Sequence, residues 1–92
     1  MAKHLRINGR VQGVGYRASF ERQALALKLS GWVRNRLDGS VEAQVQGNAD
    51  DLERIIAWAR RGPASAQVRE VVVTDVDDGA TPEGLFEMLP TQ

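Results

Sequence analysis

Strand-like and helix-like segments follow one another along this chain in an order that few folds accommodate. Leu5 and Ile7 alternate with polar neighbours, which is typical of a half-buried strand. A glycine-rich stretch then leads into residues 17–30, which are rich in good helix formers. Gly31 stands where a left-handed residue commonly ends a helix, so we expect it to cap this one. The first third of the chain therefore predicts a strand, a loop and a helix.

A hairpin is the next predicted unit. Two strand-like runs, at residues 32–35 and 41–45, lie on either side of Asp38 and Gly39. Because Asp-Gly between two such runs favours a tight turn, we expect the two strands to pair.

The second helix has the clearest pattern in the sequence. Asn48 can cap its start, and Gly62 and Pro63 can end it. Its apolar side chains recur at helical spacing, and its charges suit the helix dipole, with acids near the start and arginines near the end. These residues are Leu52, Ile55, Ile56 and Ala59 on the apolar face, Asp50, Asp51 and Glu53 near the start, and Arg60 and Arg61 near the end.

The rest of the chain completes a known order of elements. Residues 68–76 are rich in valine and predict a strand, residues 77–84 a polar turn, and residues 85–89 a short last strand. The order is β-α-β-β-α-β with an optional fifth strand. We therefore expect an α+β fold, a ferredoxin-like split βαβ sandwich with both helices on one face of an antiparallel sheet. Residues 1–92 are expected to form a single domain.

Composition excludes several classes of function. The chain has no cysteine, so disulfides, thiolate nucleophiles and cysteine-based metal sites are all absent. Its 12 basic and 12 acidic residues cancel, which gives no net field towards nucleic acid or anionic membranes. No apolar run is long enough for a membrane span, and the first residues lack a signal-peptide pattern. We expect a cytoplasmic monomer without nucleic-acid or membrane partners.

The glycine-rich segment at residues 9–17 is the strongest candidate for chemistry. It leaves a strand, turns on glycines and enters a helix, so its backbone N–H groups can form an anion-binding nest at the positive end of the helix. The Arg17 guanidinium can grip two oxygens of the same anion. From these residues alone, a plain β–α turn with a surface arginine stays an equal alternative. The predicted phosphate-binding residues are Gln12, Gly13, Val14, Gly15, Tyr16 and Arg17.

Three better-known phosphate loops fit this segment poorly. A Walker loop needs Lys and then Ser or Thr after its last glycine, but Tyr16 and Arg17 follow Gly15. A dinucleotide fingerprint is nearly met, yet the chain has too few βα units for a doubly wound sheet. A cysteine phosphatase would need a cysteine that the chain lacks.

Several motifs together resemble the acylphosphatase family. They are the loop at residues 9–17, the runs 31–35 and 38–42, Gly62-Pro63, and Ala66 with Val68. They cover most of the chain in the order and at the spacing of that family. The run 84–88 departs from the family's usual glycine–aromatic last strand, which leaves the register of that strand open.

The resemblance implies an activity and a catalytic pair. Members of the family hydrolyse acyl phosphates to a carboxylate and inorganic phosphate without a metal or a cofactor. Their catalytic arginine closes the first motif and their catalytic asparagine closes the second, which correspond to Arg17 and Asn35 here. The expected partners are thus a small acyl phosphate and inorganic phosphate.

Three other functions stay as alternatives: a non-catalytic anion-binding domain, an RNA-binding ferredoxin-like module, and a domain of a larger carbamoyl-transfer enzyme. Two further residues attract attention. We expect His4 to be a surface or half-buried strand residue rather than a catalytic one, and Trp32 to pack against a helix rather than to stack on substrate.

Overall fold

Five strands and two helices make up the part of this computed structural model that is described, residues 1–78 and 84–92. The polar turn predicted over residues 77–84 falls mostly on residues 79–83, which lie outside the described ranges. In chain order the elements are β1 (Ala2–Arg10), α1 (Tyr16–Ala26), β2 (Ser30–Asn35), β3 (Val41–Gln46), α2 (Ala49–Arg61), β4 (Gln67–Val76) and β5 (Phe86–Met88).

All five strands form one sheet in the order β4-β1-β3-β2-β5. The first four pair antiparallel, which confirms the ferredoxin-like order. β5 instead joins β2 in parallel, with Gly31 opposite Phe86 and Val33 opposite Met88. The sheet is therefore mixed rather than wholly antiparallel. β2 runs opposite to β4, so a strand that reverses direction after β4 and lies beside β2 runs parallel to it.

Both helices cover the same face of the sheet, as the sequence predicts. Alternate residues of β1, β2 and β3 enter one core together with one side of each helix, because side chains alternate between the faces of a strand. Tyr16, Phe20 and Ala24 come from α1, and Leu52, Ile55 and Ala59 from α2. The sheet residues with which they pack include Leu5, Ile7, Val33, Val41, Ala43, Val45, Val71 and Phe86.

The first helix ends earlier than the sequence predicts, at Ala26 rather than near residue 30. Lys28 takes the left-handed conformation with φ 58°, and the turn that follows buries Leu29 and starts β2. The predicted capping role of Gly31 is wrong, since Gly31 lies inside β2 with φ 140°. A Cβ atom there would lie 1.9 Å from the Gln44 carbonyl oxygen on β3, so close strand approach is what requires the glycine.

The opposite face of the sheet carries a polar cluster of His4, Trp32, Arg34 and Glu42. The prediction that Trp32 packs against a helix is wrong, because its ring lies 4.9 Å from the Arg34 guanidinium and edge-on to His4. His4 pairs with Glu42 at 2.7 Å, and Arg34 donates to the same carboxylate at 2.8 Å. Partial burial raises the pKa of Glu42, but these two hydrogen bonds outweigh it and hold the pKa below its ordinary value.

Candidate functional site

A cleft of about 170 Å³ opens where the connection between β1 and α1 meets the end of β2. Arg17 and Asn35, which come from separate elements, lie in its wall together. The described residues that line it are Val11, Gly13, Gly15, Tyr16, Arg17, Ala18, Asn35 and Met88.

Two glycines shape the loop on one side of this cleft. Gly13 and Gly15 have φ values of 74° and 80°, the left-handed region that side chains with a Cβ adopt at a cost. A Cβ atom on either would meet no neighbouring atom within 4 Å, so the backbone faces open space rather than packed protein. The turn therefore needs glycine for its conformation and leaves its backbone accessible.

The start of α1 is left without internal partners. Gly15 precedes the helix and supplies no side-chain cap, and the first turn holds no acidic residue. Within the described residues, no carbonyl or side chain accepts a hydrogen bond from the N–H groups of Tyr16, Arg17 or Ala18. These groups carry the positive end of the helix dipole, and the same three residues line the cleft.

The Arg17 guanidinium is the one charged group in the lining described above. Its residue is half-buried, and among residues 1–78 and 84–92 it forms no hydrogen bond or ion pair. Arg6, Arg34 and Arg36, by contrast, each have a carboxylate partner. The side chain is thus free to bind an anion that enters the cleft.

Asn35 contributes an unsatisfied acceptor. Its side-chain oxygen Oδ1 is buried and has no hydrogen-bond partner among the described residues. A buried polar atom without a partner costs about 1–3 kcal/mol, so such atoms are few in proteins and this one makes Asn35 a candidate for a functional role. The main chain around it is fixed by Gln92, whose N–H donates to the Asn35 carbonyl at 3.2 Å and whose carbonyl accepts from Leu37 N–H at 3.1 Å.

The side chains of Gln12 and Val14 contact other parts of the protein and do not line the cleft. Gln12 Nε2 donates to the carbonyl oxygens of Arg36 and Ser40 at 2.8 and 2.9 Å, which ties the loop to the β2–β3 hairpin just after Asn35. Val14 packs partly against the core. The predicted role of their backbone N–H groups stays a prediction.

Tyr16 has a structural side chain. Its hydroxyl donates to the Ala59 carbonyl at 2.8 Å, and its ring packs between Phe20 and Trp58. Burial raises the pKa of this hydroxyl far above its ordinary value. Only the backbone of Tyr16 is therefore available to a ligand.

Sequence reasoning missed three lining residues, Val11, Ala18 and Met88, and the support from Gln92. Val11 and Ala18 flank the predicted loop, so their position next to it in the sequence could have identified them as lining residues. No sequence signal could have identified Met88, because its place in the site depends on the parallel pairing of β5 with β2.

A larger hollow of about 490 Å³ lies at the other end of the sheet, near Met1, Lys28 and Asp78. Its charges already pair in part, since the Met1 amino group lies 3.2 Å from Asp78. Across the described ranges, no three His, Cys, Asp or Glu side chains are grouped as metal ligands. No helix of the described chain is long and apolar enough to cross a membrane.

Fold and cleft together define a small ferredoxin-like α+β protein with a candidate site at the start of its first helix. The sequence model of the acylphosphatase family matches residues 3–88, and the chain belongs to that family. It is accordingly an enzyme, a hydrolase that acts on acid anhydrides.

Individual relatives agree with this assignment. An acylphosphatase of Azoarcus sp. (strain BH72) is 58% identical over 91 residues, which cover 98% of this chain and 90% of the relative. The crystal structure of acylphosphatase from Bacillus subtilis superposes with a TM-score of 0.89 at 31% identity, covering 97% of this chain and 99% of that one. Full-length HypF in its phosphate- and nucleotide-bound form gives a TM-score of 0.88 at 27% identity; the match covers 98% of this chain but 12% of that protein.

Proposed function

We propose that this protein hydrolyses the carboxyl–phosphate bond of acyl phosphates, releasing a carboxylate and inorganic phosphate, by in-line attack of water without a metal ion. The observation that carries the proposal is the buried, unpartnered Oδ1 of Asn35 in the same cleft as the unpaired Arg17. A cleft that only bound an anion would need the arginine but would have no use for a free acceptor. Membership of the acylphosphatase family supports the same reaction.

The phosphoryl group binds on the loop side of the cleft. Backbone N–H groups of residues 12–16 and the Arg17 guanidinium donate to its oxygens and take up the charge that develops in the transition state. The unsatisfied start of α1 adds its positive dipole end to that site. Arg17 and the loop thus act as the phosphate-binding and charge-stabilising part of the enzyme.

Asn35 positions the nucleophile. A rotation of its side chain brings Oδ1 to the cleft, where it accepts a hydrogen bond from a water molecule and aims the water oxygen at phosphorus, opposite the bond that breaks. An amide is too weakly basic to remove the proton, so the water proton passes to an oxygen of the transferred phosphoryl group. Asn35 is therefore a catalytic residue that orients water rather than a general base.

The chemistry of the substrate explains why so few groups suffice. The leaving group is a carboxylate whose conjugate acid has a pKa of about 4, so it departs without a proton from a general acid. In a loose transition state, bond breaking leads and the attacking water needs little deprotonation. Positioning and charge stabilisation then provide most of the rate enhancement.

Hydrolysis of benzoyl and acetyl phosphate in the presence of a chelator tests the proposal. We expect turnover of both substrates with the chelator present. A folded protein without turnover would contradict the proposed reaction, whereas activity that required a divalent ion would contradict the metal-free mechanism. A cytoplasmic location and a monomeric state stay predictions from the sequence.

The Asn35→Ala variant tests the role of the asparagine. We expect kcat to fall by about 10²–10³, as for loss of one preorganised polar group, with little change in inhibition by phosphate. Asn8→Ala is the matched control, because Asn8 lies on β1 beside Glu70 and outside the cleft lining. Near-normal turnover in Asn35→Ala would show that the water is positioned by another group.

A further inference from the structure

β5 brings an apolar side chain to the edge of the catalytic cleft. Met88 pairs with Val33 of β2, and residues two apart on a strand point to the same face, so Met88 lies on the side of the sheet where Asn35 lies. Met88 lines the cleft together with Arg17 and Asn35. It is 39% exposed, which leaves much of its side chain available to a ligand.

The lining divides into a polar part and an apolar part. Arg17, Asn35 and the N–H groups at the start of α1 form the polar part, and the proposed function assigns all of them to the phosphoryl group and the water. Besides the glycines and the buried Tyr16 ring, the apolar side chains of the lining are Val11, Ala18 and Met88, and Val11 is nearly fully buried. Met88 is thus the one large, accessible apolar side chain of the described lining. Its unbranched thioether can adapt to acyl groups of different shape.

From this division we infer that Met88 binds the acyl part of the substrate, and that the enzyme prefers acyl phosphates whose acyl group is uncharged and apolar. The inference rests on the proposed function and names its substrate class. Contact with Met88 removes apolar surface of the acyl group from water, which favours aromatic or larger aliphatic groups over acetyl. An acyl group with a second negative charge meets no second cation in the described lining, and desolvating an unpaired charge is costly.

The first experiment compares kcat/KM for benzoyl phosphate with kcat/KM for acetyl phosphate. The parent protein is expected to prefer benzoyl phosphate, and Met88→Ala to lower this preference by about three- to tenfold because part of the apolar contact is lost. Met88→Leu keeps the apolar surface and is expected to stay within about twofold of the parent. Leu85→Ala is the matched control, since Leu85 is 41% exposed but lies outside the lining.

The second experiment replaces the apolar side chain of Met88 with a positively charged one. Met88→Lys supplies a cation to the acyl side of the cleft, so the preference for succinyl phosphate, which carries a second carboxylate, over benzoyl phosphate should rise about tenfold. Circular dichroism and the melting temperature verify the fold of each variant. If Met88→Ala is destabilised, Met88→Leu and Met88→Lys still allow the substrate preferences to be compared with those of the parent protein.

The outcomes separate this inference from the proposed function. Hydrolysis by the parent protein with both preferences unchanged in the Met88 variants would overturn the assignment of Met88 alone. Hydrolysis of none of these substrates by the parent protein would overturn the proposed function and this inference with it. A fall in the benzoyl preference in Leu85→Ala as large as in Met88→Ala would also overturn it.

Discussion

The two helices of this protein begin in opposite ways. α2 starts with Asn48, whose side chain accepts from Asp51 N–H at 2.9 Å, and Asp50 and Asp51 offset the positive end of its dipole. α1 starts with Gly15 in the left-handed conformation, without a side-chain cap and without an acidic residue in its first turn. The start of α2 thus has a side-chain cap and two acidic residues, and the start of α1 has neither.

The difference supports our proposal that the start of α1 binds the substrate, because that helix start lacks stabilising features that α2 has. A side-chain cap contributes about 1 kcal/mol, and an acid in the first turn a few tenths more. α1 forgoes both at the end that lines the cleft, beside an unpaired arginine and an unsatisfied asparagine oxygen. Features that lower local stability and cluster in this way are typical of a functional site.

The largest expected effect is at Arg17. Arg17→Ala should lower kcat/KM for acyl phosphates by at least about 10²–10³ and weaken inhibition by phosphate, because it removes the charged donor of the cleft. Arg17→Lys should also be poor, since an ammonium group cannot reproduce the planar two-point fork. Arg54→Ala, at an exposed position of α2, is the control for loss of a helical arginine. Equal losses of kcat/KM in Arg17→Ala and Arg54→Ala would contradict a special role for the start of α1.

A reciprocal exchange at the third residue of each helix comes next. Ala18→Asp gives α1 the acid that α2 has in Asp51, so its carboxylate should compete with the bound phosphoryl group. We expect the inhibition constant for phosphate to rise at least about tenfold while the melting temperature holds or rises slightly. Asp51→Ala should lower the melting temperature and leave kinetics unchanged. Stronger phosphate binding in Ala18→Asp would be incompatible with an anion site at the start of α1.

The smallest effect on activity is expected for the cap of α2. Asn48→Ala removes the acceptor for Asp51 N–H and should cost about 1 kcal/mol of unfolding free energy, measured by denaturant titration. Its kcat and KM should match those of the parent protein, because α2 begins at the end of the sheet remote from the cleft. A change in KM for acyl phosphates would show that the two helix starts are coupled.

Much of the fold could be predicted because local patterns and tertiary packing agree. α2 carries a cap, complementary charges and an apolar face, and the structure has it at Ala49–Arg61. Gly31 was misjudged because a glycine after a helix and a glycine at a close strand approach look the same in sequence. Trp32 was misjudged because the polar face of the sheet provides its own partners, His4 and Arg34.

The residues of the candidate site also differ in how far the sequence predicts them. Gly13, Gly15 and Arg17 lie within five consecutive residues, so the pattern of a loop entering a helix predicts that they lie together. Asn35 could be added through its family motif, although its open acceptor is visible only in three dimensions. Met88 depends on a pairing between distant strands, and no local pattern encodes such a pairing.

Titration of the ¹⁵N-labelled protein with inorganic phosphate, followed by amide chemical shifts, tests the central claim most directly. If the start of α1 holds the phosphoryl group, the largest shifts will fall on residues 12–18 and on the Asn35 side chain, and residues 49–51 of α2 will not move. Shifts at residues 49–51 as large as those at 12–18, or no shifts at 12–18 at saturating phosphate, would contradict the account.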